Sequence, residues 1–126
     1  MKTWTQWILK GAALWAISGL AMAQTYPTKP LKLVVPYAAG GSTDQLARAI
    51  AEPLGRALGQ AVVVENKPGG NTIIGAEAVA KAAPDGYTLF MGSSASLAVN
   101  PLLYSKLPYD PVADFAGVSM LAASPL

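Results

Sequence analysis

The chain has 126 residues, with nine basic and seven acidic side chains, and it contains neither cysteine nor histidine. Disulfide bonds and a Ser-His-Asp triad built from this chain are therefore excluded, and the lack of basic clusters argues against a nucleic-acid partner. The usual nitrogen and sulfur ligands of a metal site are also missing, and no residue pattern calls for a cofactor.

The first 23 residues have the pattern of a bacterial export signal. Lys2 and Lys10 flank a polar start, and the thirteen-residue run "GAALWAISGLAMA" ends on the small-x-small sequence 21–23. This run is shorter than the roughly 20 residues that a membrane-spanning helix needs. We therefore predict cleavage after Ala23, a periplasmic location, and a mature part of residues 24–126. An uncleaved amphipathic anchor is the alternative.

Removing the predicted signal changes the charge of the protein. Lys2 and Lys10 leave with it, so nine basic residues become seven against seven acidic ones. The mature part is then close to neutral, and export without cysteine fits a periplasmic protein stabilised by its core alone.

The mature part begins with a predicted strand followed by a predicted helix. Leu31–Val35 is a continuous apolar run ended by Pro36, which is typical of a buried strand. From Thr43 apolar residues recur every four positions, and Gly59 should end the helix. We expect Ser42 or Thr43 to supply the N-cap oxygen, Asp44 to suit the first turn, and Pro53 to kink the helix or end its first half.

Helix and strand continue to alternate as far as the third strand, and a fourth strand follows later. Residues 61–66 predict a second strand, 72–82 a second helix, 87–92 a third strand and 117–123 a fourth strand. Strands that alternate with helices across short connections indicate an α/β fold with a parallel sheet and right-handed crossovers. Such sheets bind ligands outside the carboxyl ends of their strands.

Two loops with small side chains are predicted at that edge. In "AAGGSTD", Gly40 and Gly41 allow a ligand to approach the backbone, and the following amides open a helix, where a carboxylate or phosphate is favoured. The loop fits neither common glycine-rich phosphate motif. A plain strand-to-helix turn is the alternative, and two roles are open for Asp44: capping the helix, or orienting water and polar ligand groups.

The second loop, "GSSAS", offers hydroxyls and amides with little bulk, and the turn "KPGGN" adds Asn71. Each has a plainer alternative as a helix cap or a turn. The candidate ligand-binding residues are Tyr37, Ala39, Gly40, Gly41, Ser42, Thr43, Asp44, Asn71, Ser93, Ser94 and Ser96. "GSSAS" lacks the final glycine of a nucleophile elbow, so a hydrolase is disfavoured and no catalytic residue is predicted.

The residues resemble one family over essentially the whole mature part. The segments "GQAVVVEN", "AAPDGYTL" and "LPYDPVADF", in this order, are similar to the start of tripartite tricarboxylate transporter substrate-binding proteins, the Bug or TctC-type receptors. The resemblance implies one incomplete parallel-sheet lobe, residues 24–126, of a two-lobed Venus-flytrap fold of the periplasmic-binding-protein type.

The same resemblance implies a function and partners. Such receptors close over a small carboxylate, which could be a dicarboxylate, a tricarboxylate, an acidic amino acid or an aromatic acid. They deliver it to membrane permease subunits. The loops matching residues 39–44 and 93–96 would bind the ligand largely through backbone and water. Ala39 stands where relatives often have proline, and the position near Leu97 lacks their histidine. The alternative to a receptor is an inactive remnant of one.

Overall fold

A computed structural model describes residues 26–123, so the predicted signal peptide lies outside the described residues. The observed elements alternate as the sequence predicts. They are strand β1 (Leu31–Val35), helix α1 (Ser42–Leu58), strand β2 (Val62–Asn66), helix α2 (Ile73–Ala80), strand β3 (Thr88–Phe90), a π-helical turn (Ala95–Val99) and helix α3 (Asn100–Leu103).

The three strands form one parallel sheet in the order β2-β1-β3. Leu31 of β1 is opposite Val62 of β2, and Val34 of β1 is opposite Phe90 of β3. Strand β1 is central because it is the most apolar of the three, with Val34 and Val35 almost fully buried. The parallel arrangement brings the carboxyl ends of all three strands to one edge.

The hydrophobic core lies between helix α1 and the sheet. Its buried centre consists of Leu33, Val35, Ala47 and Met91, and partly buried apolar side chains surround it: Tyr37, Leu46, Ile50, Val62, Val64 and Leu89. Residues spaced three and four apart on α1 thus face alternate residues of β1. This packing anchors the start of α1 beside the carboxyl ends of the strands.

Helix α1 differs from its prediction at two points. It continues through Pro53 as one helix of 17 residues, because Pro53 lies on the exposed face, where water can satisfy the carbonyl group that loses its partner. Its N-cap is Gly41, with no side-chain cap, so the prediction of a Ser42 or Thr43 cap is wrong. Its end at Gly59 is confirmed, with φ of 69°.

The fourth predicted strand is absent from the described residues. Residues 117–123 have no regular structure, and the side chains of Val118 and Met120 are 86% and 83% exposed. An apolar run becomes a strand only where a neighbouring strand accepts its hydrogen bonds, and no described strand pairs with it. The third strand and the second helix are also shorter than predicted.

Candidate functional site

Three loops meet at the carboxyl edge of the sheet. Loop 1 is residues 36–41, between β1 and α1; loop 2 is residues 67–72, between β2 and α2; loop 3 is residues 91–96, after β3. The sheet ladder extends into two of them, since Lys67 N–H donates to Val35 O at 2.8 Å and Met91 N–H donates to Val34 O at 2.9 Å. The predicted convergence of loops 1 and 3 on one edge is therefore confirmed, and loop 2 lies at the same edge.

Loop 1 presents bare backbone at the start of a helix. Gly40 has φ of +87°, a conformation that favours glycine, and Gly41 has the extended conformation of an N-cap. Within the described residues, no side chain caps the amides of Ser42 and Thr43, which precede the first intrahelical bond from Gln45 N–H to Gly41 O. These amides and the helix dipole favour an anion.

The carboxylate of Asp44 faces inward and is only 3% exposed. Its Oδ2 accepts Gly40 N–H at 2.8 Å and Arg48 Nε–H at 2.9 Å, and its Oδ1 accepts Asn66 Nδ2–H at 3.0 Å. Hydrogen bonds from Arg48, Gly40 and Asn66 hold the pKa of Asp44 far below its usual range. Asp44 therefore stays ionised and ties the backbone of loop 1 to α1 and β2.

Asn66 completes this network at the end of β2. Its Nδ2 also donates to Tyr37 O at 3.1 Å, and its Oδ1 accepts from Arg48 Nη2 at 3.3 Å. The charge of Arg48, whose side chain is 55% exposed, is thus paired with the carboxylate of Asp44. Sequence reasoning missed both residues, although a polar residue directly after the run "VVVE" is a usable signal.

Loop 3 is held against loop 1 by one hydrogen bond between side chains. Tyr37 Oη donates to Ser93 Oγ at 2.9 Å. Ser96 is fully buried; its Oγ accepts Ser93 N–H at 2.9 Å and donates to Ser93 O at 3.0 Å. Ser94 is exposed. Of the three predicted serines, Ser96 shapes the loop and Ser94 faces outward.

Loop 2 contributes Asn71, whose side chain bonds to the first residue of helix α3. Asn71 Nδ2 donates to Asn100 Oδ1 at 2.7 Å, and Asn100 Nδ2 donates back to Asn71 O at 2.7 Å. Asn100 is fully buried. Sequence reasoning assigned Asn100 no role.

The predicted site residues thus divide by exposure. Ala39, Gly40, Gly41, Ser42, Asn71 and Ser94 are exposed, Tyr37, Thr43 and Ser93 are half-buried, and Asp44 and Ser96 are buried. Because the exposed group carries no ionised side chain, its chemistry is that of amides and hydroxyls. This arrangement suits hydrogen bonding to a small polar ligand.

The described residues offer little else for chemistry. They contain no cluster of three potential metal-binding side chains and no helix long and apolar enough to cross a membrane. A groove of about 680 Å³ lies between α1 and β2, and its lining includes Arg48, Glu52 and Arg56. These three charges are already satisfied by ion pairs, with Arg48 on Asp44 and Arg56 on Glu52, and the groove contains none of the predicted site residues.

Solved structures share this architecture. MatC from Rhodopseudomonas palustris with bound malate is 40% identical, with a TM-score of 0.73 over 76% of this chain and 33% of that one. The periplasmic binding protein BugD is 44% identical, with a TM-score of 0.68 over 71% of this chain and 30% of that one. An R. palustris protein with adipate is 44% identical, with a TM-score of 0.65 over 68% of this chain and 29% of that one. The fold is therefore a parallel-sheet lobe of the periplasmic-binding-protein type, as predicted.

Sequence comparison narrows this class to one family. The profile of the tripartite tricarboxylate transporter family receptors matches residues 46–126. BugT of Bordetella pertussis is 46% identical over 88% of this chain and 35% of its own length, and a UPF0065 protein of Bordetella bronchiseptica is 47% identical over 84% and 32%. The chain belongs to this receptor family, and it spans about a third of the length of these relatives.

Proposed function

We propose that the chain is the first lobe of a periplasmic receptor that binds a small carboxylate and passes it to the permease subunits of a tripartite transporter. In this proposal residues 1–23 are the export signal and residues 24–126 belong to the ligand-binding lobe. The observation that carries it is the uncapped start of α1 beside two small-residue loops, in a fold whose solved relatives hold malate and adipate.

The ligand's carboxylate would lie at the N-terminus of α1. The amides of Gly41, Ser42 and Thr43 would donate to it, and the hydroxyls of Ser93 and Ser94 would reach it or its water from loop 3. Because the nearby cation Arg48 is paired with Asp44, the binding would rest on amides and the helix dipole rather than on a salt bridge. Asp44 would act indirectly, by holding Gly40.

One substitution isolates a single amide. Ser42 is the first residue of α1, a position where proline is tolerated, and the extended conformation of Gly41, with φ of −73° and ψ of 170°, is compatible with a following proline. Ser42→Pro therefore removes one N–H donor and leaves the helix in place. Ser42→Ala is the matched control, since it removes the hydroxyl and keeps the N–H.

The test is an NMR titration of the chain with malate and with adipate. We expect amide shifts confined to residues 39–44 and 93–96, a loss of affinity of roughly 10-fold in Ser42→Pro, and a smaller loss in Ser42→Ala. Dimethyl malate, which carries no carboxylate charge, should cause no such shifts. Equal shifts with malate and its dimethyl ester, or none with either acid, would refute the proposal.

A further inference from the structure

Asn100 is the most completely bonded polar side chain at this edge of the sheet. It is 0% exposed. Its Oδ1 accepts Asn71 Nδ2–H at 2.7 Å, and its Nδ2 donates to Asn71 O at 2.7 Å and lies 3.3 Å from Thr72 Oγ1. One buried amide thus holds both the side chain and the backbone of Asn71, which is 29 residues away in the sequence.

The turn that Asn100 holds has an unfavourable backbone. Four successive residues, Gly69, Gly70, Asn71 and Thr72, have positive φ, with values of 118°, 57°, 52° and 74°. Glycine adopts the left-handed region freely and asparagine tolerates it, but for a β-branched residue such as Thr72 it is a genuine outlier. A strained backbone of this kind persists only where the surrounding structure imposes it, and such sites cluster around bound ligands.

Asn100 is also tied to loop 3. Its backbone N–H donates to Ala95 O across the π-helical turn, which links the backbone of Asn100 to loop 3. Asn100 Nδ2 lies 3.4 Å from Tyr109 Oη, and that hydroxyl donates to Ser96 O at 2.7 Å. Ser96 in turn fixes the backbone of Ser93. A continuous path of hydrogen bonds therefore runs from loop 2 to loop 3.

We infer that Asn100 is a positioning residue that couples loops 2 and 3, so that Asn71, Ser93 and Ser94 are presented to the ligand as one rigid surface. The part of this inference that concerns a ligand rests on the proposed function. The coupling between loops 2 and 3 does not depend on it. Asn100 does not touch the ligand itself, because it is fully buried beneath both loops. Its role is to keep both loops ordered before the ligand binds, so that binding costs less conformational entropy.

The test compares amide hydrogen exchange in three variants. Asn71→Gly removes only the side-chain donor to Asn100, since glycine keeps the positive φ of this exposed position. Asn100→Leu removes all side-chain hydrogen bonds at similar volume. Leu31→Ala is the control, because Leu31 is buried at the opposite end of β1. A general loss of stability would change exchange in all three.

Coupling predicts that Asn71→Gly speeds exchange of residues 93–97 by roughly 10-fold, although they lie more than 20 residues away in the sequence, and Leu31→Ala does not do so selectively. Asn100→Leu should speed exchange in both loops and weaken malate binding by about 10-fold or more. Unchanged exchange of residues 93–97 in Asn71→Gly overturns the coupling. If that exchange is faster but the unaltered chain binds no malate, the coupling stands and the proposed function fails.

Discussion

At the scale of single residues, buried and half-buried polar side chains hold the backbone of the loops at the carboxyl edge of the sheet. Asp44 holds Gly40, Asn66 holds the backbone of Tyr37, and Asn100 holds Asn71. All buried side-chain nitrogen and oxygen atoms in the described part of the chain have a hydrogen-bond partner. Satisfied buried networks of this kind make a loop rigid, whereas an unsatisfied member would be costly.

Asp44→Asn should lower stability at neutral pH. A carboxylate accepts from three donors here, but an amide has one acceptor oxygen, and its NH₂ would face other donors. We expect the melting temperature at pH 7 to fall by roughly 5–10 °C. Two variants serve as comparisons. Asn66→Asp alters the same hydrogen-bond network, and Ser94→Ala changes an exposed serine outside it.

The stability difference between Asp44→Asn and the parent should depend on pH. The pKa of Asp44 in the folded state lies below its unfolded value, so its contribution is fully present above about pH 4 and is lost as the pH falls from there. Thermal melts from pH 7 to pH 2 should show the two curves converging under acid. A difference that is constant over this range would contradict the role of the ionised carboxylate.

At the scale of elements, the helices are positioned by how closely they approach the sheet. Helix α2 comes close to the residues that directly follow β1 and β2 at Gly75, where an added Cβ would lie 2.8 Å from Pro36 Cβ and 3.0 Å from Lys67 O. These contacts are too short for any side chain. The absence of a side chain at residue 75 thus lets α2 pack against the first residues of loops 1 and 2.

Gly75→Ala should therefore destabilise the protein, although alanine is the better helix former. Helix propensity favours alanine by about 1 kcal/mol, but overpacking against the backbone typically costs 1–3 kcal/mol, so we expect a net loss of about 1–2 kcal/mol. Urea denaturation would measure it. Gly117→Ala is the matched control, because a Cβ there meets no atom within 4 Å. A Gly75→Ala protein more stable than the parent would refute the close approach.

At the scale of the whole molecule, several large apolar side chains that follow β3 in the chain are exposed to solvent. Leu102, Val112, Val118 and Met120 are each more than 80% exposed. An apolar segment without regular structure that lies open to water tends to associate with other chains. We therefore expect residues 117–123 to drive self-association of this chain in solution.

A double substitution, Val118→Lys with Met120→Lys, should raise the concentration at which light scattering detects aggregates by about 3-fold or more. Its melting temperature should change little, since both side chains are largely exposed. Ser119→Lys adds charge to the same segment without removing an apolar side chain and should have a smaller effect. If Ser119→Lys protects equally well, charge alone is responsible and the apolar contact is not.

Local patterns in the sequence were sufficient for the fold class, the bounds of β1, the end of α1 at Gly59 and the meeting of small-residue loops at one sheet edge. Hydrophobic periodicity and glycine conformation are local properties, which a short stretch of sequence shows directly. Once the strands are known to be parallel, their carboxyl ends must lie at one edge of the sheet. Family membership likewise followed from short motifs read in order.

Only the tertiary structure decided which polar residues are buried and what they hold. The partners of Asp44 come from loop 1, from its own helix and from β2, and Asn100 meets Asn71 across 29 residues of sequence. The tertiary structure also explains two departures from the predictions. Helix α1 continues through Pro53 because this residue lies on an exposed face, and residues 117–123 form no strand because no described strand pairs with them. Hydrogen bonds and strand pairing between distant segments depend on the folded arrangement, which local sequence patterns do not encode.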